Sequence, residues 1–387
     1  MTNELKGKVN YSVNGNIAIL EVDNPPVNPL SSGVRAGLAE FIEKANSDDS
    51  IKGIILTGAG RSFIAGADIS EFGKSFDGPD LNSTLRDIEF SKKPVIAAIN
   101  GTALGGGLET ALVCNYRMGT NKAIVGLPEV NLGLLPGAGG TQRLPRLVGP
   151  SQALKMMLSG APLSAEKALT SGILDAISEN SLIEDAIEFL QDKIELSEHP
   201  KVRDKNEKVL EARGSENVLA EAKALAAKTR RGQFAPGQII ACVEAAINED
   251  DFDAGLKKES EYFLECLMNP QREAMIHIFF GERAASKISD IPKDTPLMSI
   301  NSAGIVGSGT MGGGIAMNLA NAGIPVLILD QDEKNLERGM GVIEKNYQMM
   351  VDRGRMSEEQ KEKVFDLITP TLSYDDLANV DIVVEAV

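Results

Sequence analysis

The sequence predicts an α/β protein built in three successive parts. Over residues 1–190, short apolar runs that end at turn residues alternate with helical patterns, as in a largely parallel sheet covered by helices. Over 191–297 the strand signals disappear and nearly every pattern is helical. Over 298–387 a new strand, a glycine-rich turn, a helix and another strand follow one another. We therefore expect an α/β domain, a helical extension with a linker, and the beginning of a second α/β domain.

The first part begins with recognisable strands. "NIAILEV" (16–22), "IKGIILTGA" (51–59) and "KPVIAAIN" (93–100) are short apolar runs closed by turn residues. Between the first two, apolar residues recur at helical spacing, and Ser31 or Ser32 is the expected N-cap.

The middle part lacks such runs. "SLIEDAIEFLQDKIEL", "ENVLAEAKALAAKTRR", "GQIIACVEAAINED" and a long pattern over 252–287 are all amphipathic at helical spacing. "ISDIPKDTPLMSI" (288–300), with two prolines and mixed charge, is typical of a linker. The chain should therefore change domain near residue 298.

Composition excludes several classes of partner. The 387 residues are 43% hydrophobic and carry a net charge of −16, so packed cores are expected, and phosphate backbones and anionic lipids are repelled. No signal-peptide core and no run of about 18 apolar residues occurs, which predicts a soluble, cytoplasmic protein without membrane insertion. The same pattern is compatible with an organellar location of a longer parent protein. The three cysteines have no metal-ligand spacing, so no metal is expected.

The densest chemistry lies between residues 61 and 142. In "NGTALGGGLET" (100–110) a strand runs into three glycines and a helix start, where unpaired N–H groups favour negative charge. "RSFIAGADISEF" (61–72) offers a second donor at Ala67, and two such donors could bind a developing oxyanion. Glu109 and Glu129 lie in or beside these turns, which suggests a general acid and base acting on a carbonyl compound.

Each of these features also has an ordinary structural explanation. A glutamate in the first turn of a helix, such as Glu109, commonly just complements the helix dipole. Pro-Glu turns such as that of Glu129 are mostly solvated surface, and "GGG" is more often a helix start than an oxyanion hole. "PGAGG" (136–140) lacks the Gly-Lys-Ser/Thr ending of a phosphate-binding loop. The residues alone leave these alternatives open.

Four segments together resemble the crotonase (enoyl-CoA hydratase/isomerase) family in content and order. They are "NPPVNPL", "FIAGADISEF", "NGTALGGGLE" and "GLPEVNLGLLPGAGGTQRLPRLVG". The resemblance implies a spiral of ββα turns that binds an acyl-coenzyme A thioester. It implies that Ala67 and Gly106 form the oxyanion hole and that Glu109 and Glu129 are the catalytic pair. The substrate-binding residues it implies are Gly66, Asp68, Gly105, Pro136 and Gly137.

The resemblance also implies the reaction. Glu109 would activate water and Glu129 would protonate the α-carbon, converting trans-2-enoyl-CoA to 3-hydroxyacyl-CoA without a metal. Because one glutamate can move a proton between the α and γ carbons, Δ3–Δ2 isomerisation is a second expected activity.

The segment over 303–332 meets the requirements of a dinucleotide-binding turn. An apolar strand precedes the G-x-G-x-x-G pattern, a helix follows it, and the next strand ends in an acid that would bind the ribose hydroxyl and favour NAD over NADP. The alternative is a glycine-rich helix start with a solvated Asp330. The predicted cofactor-binding residues are Gly307, Gly309, Thr310, Met311, Gly312 and Asp330.

The whole chain resembles the N-terminal half of multifunctional fatty-acid β-oxidation enzymes, in which a crotonase part precedes a 3-hydroxyacyl-CoA dehydrogenase part. That family's base is a histidine beyond "DIVVEAV" (381–387), whereas His199 and His277 both precede the glycines. We therefore expect the NAD domain to be truncated, lacking its base and substrate domain. Association of the parent enzyme with a thiolase subunit is a further expectation of the resemblance.

Two other classes of function remain open at this point. Because a fold does not determine an activity, the crotonase part could instead be an acyl-CoA hydrolase or decarboxylase. The chain could also be a non-catalytic scaffold that binds acyl-CoA or NAD.

Overall fold

The structure is a computed structural model that describes residues 6–71, 78–285, 287–288, 290–292 and 294–387. Within these residues the chain forms two compact units, and the division falls after Lys287. The first unit therefore includes the α/β part and nearly all of the region expected to be helical. The second unit includes the strand–glycine–helix pattern.

The described residues of the first unit form ten strands in two sheets. In chain order the strands are β1 (Lys8–Asn14), β2 (Ile17–Asp23), β3 (Gly53–Gly58), β4 (Ser62–Ile64), β5 (Val95–Ile99), β6 (Thr102–Leu104), β7 (Tyr116–Thr120), β8 (Ile124–Gly126), β9 (Leu163–Ser164) and β10 (Ala176–Ser178). The larger sheet has the order β1-β2-β3-β5-β7-β10, and the smaller has the order β4-β6-β8-β9. All neighbours are parallel except β1 with β2 and β8 with β9.

Twelve α-helices accompany these strands in the described residues. They are α1 (Ser32–Ser47), α2 (Leu81–Glu89), α3 (Gly106–Val113), α4 (Gly140–Val148), α5 (Pro150–Ser159), α6 (Ala165–Ser171), α7 (Leu182–Gln191), α8 (Glu207–Ala212), α9 (Glu216–Thr229), α10 (Ala235–Asn248), α11 (Phe252–Met268) and α12 (Pro270–Ala285). Short 3-10 helices cover Ile69–Glu71, Glu129–Leu132 and Val202–Asp204. The long helical pattern over 252–287 is split because Pro270, which has no N–H to donate, begins a new helix.

The strands repeat as pairs that place one member in each sheet. β3 and β4, β5 and β6, and β7 and β8 each pass from the larger to the smaller sheet across a short turn. α2 follows β4, and α3 follows β6 directly. This repetition confirms the expected spiral of ββα turns, and it brings the turns after β4, β6 and β8 to one side.

Both faces of the central strands of the larger sheet are buried. In β3, Ile54 and Leu56 face the main core, whereas Ile55 faces a second core that α7 covers. Because side chains alternate along a strand, a strand covered on both faces is a continuous apolar run. The predicted strand "IKGIILTGA" has this composition for that reason.

The start of α1 shows a predicted position with a different contact. Ser31 occupies the N-cap, but its hydroxyl makes no cap hydrogen bond. It donates instead to the carbonyl oxygen of Lys6 and accepts a hydrogen bond from Asn24 Nδ2 at 3.0 Å. The hydroxyl therefore connects two loops and does not cap the first turn of α1.

The second unit is a parallel four-stranded sheet with the order β13-β12-β11-β14. Its elements are β11 (Ala303–Val306), α13 (Thr310–Asn321), β12 (Val326–Leu329), α14 (Glu333–Asp352), α15 (Glu358–Phe365), β13 (Ile368–Thr371), a 3-10 helix (Tyr374–Asn379) and β14 (Ile382–Glu385). Ile305 and Ile328 of the sheet and Ile343 and Tyr347 of α14 form its core. The order β11–α13–β12 reproduces the pattern expected of a dinucleotide-binding domain.

The described residues lack two kinds of feature. No helix in these ranges is long and apolar enough to span a bilayer. No group of three or more histidine, cysteine, aspartate or glutamate side chains in the same ranges is arranged to hold a metal ion.

Candidate active site

The turn between β6 and α3 places a glutamate in the interior of the first unit. Gly105 has φ +55°, a left-handed conformation that suits glycine, and α3 begins at the next residue. A Cβ added to Gly107 would overlap the carbonyl oxygen of Ile64, so the helix lies directly against β4. Every residue of α3 is buried, and Glu109 in its first turn is only 3% exposed.

Two predicted oxyanion-hole amides are neighbours in the fold. A Cβ added to Gly106 would lie 3.5 Å from the backbone nitrogen of Ala67, so the two segments are adjacent. In the described part of the chain, neither N–H donates a hydrogen bond to another protein group. Two adjacent donors without protein acceptors can bind one oxygen that develops negative charge.

The carboxylate of Glu109 is fixed by a second glycine-rich turn, which lies between the 3-10 helix Glu129–Leu132 and α4. Its Oε1 accepts hydrogen bonds from the backbone nitrogens of Ala138 and Gly140, both at 2.8 Å. Burial raises the pKa of Glu109, while these two donors and the nearby charge of Arg143 act in the opposite direction. The donors favour the ionised form and hold it in one orientation.

Glu129 has a different environment. Its Oε1 lies beside Gly105, where an added Cβ would be 3.1 Å away, and its Oε2 is shut off from solvent without a hydrogen-bond partner in the described residues. Burial first, then the charge of Glu109, and also that of Glu259, raise the pKa of Glu129 well above 4.5. Burial and the neighbouring carboxylates therefore favour the protonated form of Glu129.

The predicted substrate-binding residues surround these two glutamates in part. Gly66, with φ +102°, directly precedes the Ala67 amide, and Gly105 directly precedes the Gly106 amide. Asp68 is buried and forms an ion pair with Lys6 at 2.5 Å.

Pro136 and Gly137 open the turn that binds Glu109. Pro136 packs against Gly140, where an added Cβ would lie 2.9 Å from the proline Cβ. Gly137 is covered by the ring of Phe263, which a Cβ on Gly137 would approach to 2.5 Å. A substrate role for either residue stays a prediction.

The sequence interpretation missed another buried carboxylate near these two glutamates, Glu259 of α11. It is 1% exposed and accepts a hydrogen bond from the backbone nitrogen of Gly139 at 2.6 Å, 120 residues away in the sequence. In "GLKKESEYFLECL" it is one of three glutamates in a charged amphipathic helix, so no local signal distinguishes it. Only the fold shows that it points at the same turn as Glu109.

Two cavities of the first unit differ in their relation to these residues. One, of about 900 Å³, lies among α5, α6, α8 and α9 and includes none of the predicted site residues. The other, of about 550 Å³, is lined by Ala138, Glu259 and the buried pair of Arg143 and Glu89, whose Nη2 and Oε2 atoms are 2.6 Å apart. The smaller cavity therefore borders the turn that binds Glu109.

In the second unit the three motif glycines have distinct environments. Gly307 has φ +104°, and a Cβ on Gly312 would overlap the Gly307 carbonyl oxygen. An added Cβ at Gly309 meets nothing within 4 Å. Thr310 and Met311 are exposed at the start of α13. The turn is thus tight on its inner side and open where a pyrophosphate would approach.

Asp330 follows β12, as predicted, and it has a partner that the sequence did not indicate. Its Oδ2 accepts hydrogen bonds from the Ser308 backbone nitrogen at 2.8 Å and from the Ser308 hydroxyl at 2.5 Å. These bonds, led by that of the hydroxyl, hold the pKa of Asp330 below its usual range. The ionised carboxylate is therefore fixed beside the turn.

Comparison with known proteins identifies both parts of the chain. Residues 12–233 match the enoyl-CoA hydratase/isomerase family. The chain belongs to this family. Residues 302–387 match the NAD-binding domain of 3-hydroxyacyl-CoA dehydrogenase. The predicted order of a hydratase/isomerase part followed by a dehydrogenase NAD-binding part is thereby confirmed.

Curated relatives match across the junction of the two parts. The peroxisomal bifunctional enzyme of Cavia porcellus is 38% identical over 382 residues, covering 96% of this chain and 52% of that protein. A peroxisomal fatty acid beta-oxidation multifunctional protein of Arabidopsis thaliana is 37% identical over 402 residues, covering 100% and 55%. The fatty acid oxidation complex subunit alpha of Psychrobacter arcticus is 35% identical over 382 residues, covering 94% and 53%. The chain spans about half the length of these relatives.

Solved structures resemble the first unit. An enoyl-CoA hydratase/isomerase from Pseudoalteromonas atlantica superposes with a TM-score of 0.53 at 25% identity and covers 71% of this chain and 97% of its own. A carnitinyl-CoA hydratase from Mycobacterium avium gives 0.51 at 25% identity and covers 71% and 95%. Both confirm the crotonase fold class.

Proposed function

We propose that the first unit hydrates trans-2-enoyl-CoA thioesters to 3-hydroxyacyl-CoA, a step of fatty-acid β-oxidation. One observation supports this most strongly: the buried Glu109 and the half-buried Glu129, in different environments, lie beside two adjacent backbone amides that have no protein acceptor among the described residues. Paired carboxyl groups whose surroundings separate their pKa values are the arrangement that acid–base chemistry requires. The family match and the names of the relatives agree with it.

The amides of Ala67 and Gly106 would bind the thioester oxygen. Their hydrogen bonds strengthen as the oxygen gains negative charge, which makes the β-carbon of the enoyl group electrophilic. Loss of one such donor typically costs about 10²–10³ in rate. The substrate class is therefore a coenzyme A thioester with a double bond conjugated to the carbonyl group.

Glu109 would act as the base. Its carboxylate, held by the amides of Ala138 and Gly140, orients a water molecule and removes its proton as the oxygen bonds to the β-carbon. Because both amides bind Oε1, the Oε2 atom is the one available for water.

Glu129 would act as the acid. Its retained proton passes to the α-carbon, so that one molecule of water is added in total. Return of a proton from Glu109 to Glu129 restores both groups for the next turnover. Removal of a proton from the α-carbon of a Δ3-enoyl thioester by ionised Glu129, and its return to the γ-carbon, would shift the double bond to the Δ2 position, which is the second activity we propose.

The second unit would bind NAD. The open side of the turn at Gly309, the N-terminus of α13 and the fixed carboxylate of Asp330 fit a pyrophosphate and a ribose. NAD, when bound, accepts a hydride from the hydroxyl-bearing carbon that hydration creates. Association with a thiolase subunit and a cytoplasmic location stay predictions from the sequence, while the names of two relatives above place those proteins in peroxisomes.

The hydratase proposal is tested by the loss of absorbance of the conjugated thioester. We expect Glu109→Gln and Glu129→Gln each to lower kcat by about 10²–10⁴, while Glu184→Gln, on the exposed face of α7, leaves it unchanged. Wild-type turnover in both of the first two variants would contradict the proposal. A thiol reagent that detected free coenzyme A instead of water addition would indicate a hydrolase.

A further inference from the structure

Glu259 is a buried carboxylate for which the mechanism above has no use. It lies on α11, outside every segment that the sequence analysis connected with catalysis, and it is 1% exposed. Transfer of a carboxylate into the interior is unfavourable unless hydrogen bonds compensate it. The partners of Glu259 therefore indicate what it stabilises.

Those partners belong to one turn. Glu259 Oε1 accepts from the Gly139 nitrogen at 2.6 Å, and Oε2 accepts from the Thr141 nitrogen at 3.0 Å and from the Thr141 hydroxyl at 2.5 Å. The carboxylate thus binds this turn through both oxygens. α4 begins within the same turn, so its helix dipole also favours the negative charge.

The four consecutive amides of residues 138–141 alternate between two carboxylates. The first and third donate to Glu109, and the second and fourth donate to Glu259. The two side chains therefore bind the turn from opposite sides. Any movement of the turn toward one carboxylate lengthens the hydrogen bonds to the other, so Glu259 helps to determine where Glu109 is held.

The hydrogen-bond donors around Glu259 also bear on its protonation. Gln142 Nε2 donates to the Cys242 carbonyl oxygen at 2.9 Å, which fixes the orientation of that amide, and it donates to the Thr141 hydroxyl oxygen at 3.0 Å. The Thr141 hydroxyl in turn donates to Glu259 Oε2, and Gly139 donates to Oε1. These donors favour the ionised form of Glu259 and oppose the effect of its burial.

Other charged groups face this carboxylate from each neighbouring element. Burial and the charge of Glu109 raise the pKa of Glu259 to about 8, while the Thr141 hydroxyl, the Gly139 amide and the charge of Arg143 lower it. The charge of Glu259 in turn raises the pKa values of Glu129 and of the Cys242 thiol. The other charged residues that line the cavity beside it are Asp80, Arg86, Glu89, Arg203, Asp253 and Lys257.

We propose that Glu259 is a positioning residue of the hydratase site. From α11 it holds the second and fourth amides of the turn at 138–141 and thereby fixes the carboxylate of Glu109 for the activation of water. The helical extension is then part of the catalytic apparatus. This inference rests on the hydratase function proposed above.

The test begins with Glu259→Gln, which keeps the size of the side chain but leaves one acceptor oxygen for two backbone amides. We expect kcat for enoyl-CoA hydration to fall roughly 10- to 100-fold, because small misplacements of a catalytic group have effects of this size. KM should change less than about threefold, since the oxyanion hole is intact. Glu261→Gln, exposed on the same helix, is the matched control and should retain wild-type kcat.

A double-mutant cycle separates positioning from general damage. If Glu259 acts through Glu109, then Glu259→Gln should not lower further the residual rate of Glu109→Gln. An additive loss in that background, or a wild-type kcat in folded Glu259→Gln, would overturn the inference.

Two further measurements keep the test decisive if Glu259→Gln fails to fold. Thr141→Val removes the hydroxyl donor to Glu259 and should lower kcat less than Glu259→Gln does. Thr141→Ser keeps the hydroxyl and should have the kcat of the wild type. Hydrogen exchange at residues 138–141 should be faster in Glu259→Gln or Thr141→Val whether or not the chain hydrates enoyl-CoA. If the wild-type chain has no hydratase activity but exchange is faster in the variants, only the hydratase proposal is contradicted. If exchange in the variants is unchanged, the positioning role is contradicted.

Discussion

The two candidate sites of this chain are assembled in opposite ways. In the first unit, the contacts that fix Glu109 and Glu259 join residues 29 to 120 positions apart. In the second unit, the turn at 307–312 is held by Ser308, whose nitrogen and hydroxyl both donate to Asp330, 22 positions away, and by the Gly307 nitrogen, which donates to the Leu329 carbonyl oxygen. One site depends on the whole fold, and the other on one strand–turn–helix–strand unit.

The two regions also differ in exposure, and this difference determines their electrostatics. Glu129 is enclosed beside two other carboxylates, so its pKa is raised, whereas Asp330 is partly exposed and accepts hydrogen bonds that lower its pKa. An enclosed site can retain a proton for delivery to a substrate, and an open site can present a permanent charge to a cofactor. The following changes should separate the two cases.

The largest effect is expected from Gly312→Ala in the second unit. The new Cβ would overlap the Gly307 carbonyl oxygen, so the turn must move away from the position that a pyrophosphate requires. We expect NAD affinity, measured by calorimetry, to fall roughly 100-fold or below detection. Hydratase activity should be unchanged, because the hydrogen bonds described for Glu109 and Glu259 all join residues of the first unit.

Gly309→Ala is the matched control for that experiment. The Cβ added at Gly309 meets no protein atom within 4 Å, so the melting temperature of the unit should not change. The same Cβ takes up space that the cofactor would occupy. NAD binding of wild-type strength in Gly312→Ala would show that the tight inner side of the turn is not needed.

The same difference explains what the sequence could predict. The glycines of the nucleotide turn and Asp330 were predicted because their spacing along the chain is enough to define the turn and the strand that follows it. The ββα spiral and the neighbouring amides of Ala67 and Gly106 were expected from a resemblance, since the residues alone left simpler explanations open. The strand positions followed from apolar runs that are buried on both faces.

The contacts of Glu259 and Ser308 were not predictable by the same reasoning. Glu259 lies in a helix whose other glutamates, Glu261 and Glu265, are exposed, and only the packing of α11 distinguishes it. Ser308 occupies a variable position of the motif, where its hydroxyl gives no periodic or spacing signal. A side chain that acts through a distant backbone turn leaves no pattern in its own neighbourhood.

A smaller effect is expected from Asp330→Ala. Loss of the carboxylate removes its charge-assisted hydrogen bond to the ribose and its repulsion of a 2′-phosphate. NAD affinity should fall roughly tenfold, and the preference for NAD over NADP should shrink. Glu337→Ala, an exposed acid in the same unit, changes the net charge equally and should leave both affinities unchanged. An unaltered NAD/NADP ratio in Asp330→Ala would show that this carboxylate does not contact the ribose.

The smallest effect concerns stability and has opposite signs in the two units. The unfolded chain ionises Glu129 near pH 4.5, while the folded chain retains the proton to a higher pH, so the wild-type fold loses stability as pH rises through this window. Glu129→Gln cannot ionise and should melt at a higher temperature than wild type above pH 4.5, by about 2–4 °C for each kcal/mol. Asp330→Asn should instead melt lower above pH 3.8, because ionised Asp330 stabilises the fold and that contribution disappears as pH falls. Calorimetric melts at several pH values distinguish these cases, and a difference for Glu129→Gln that did not grow with pH would mean that Glu129 is already ionised in the folded chain.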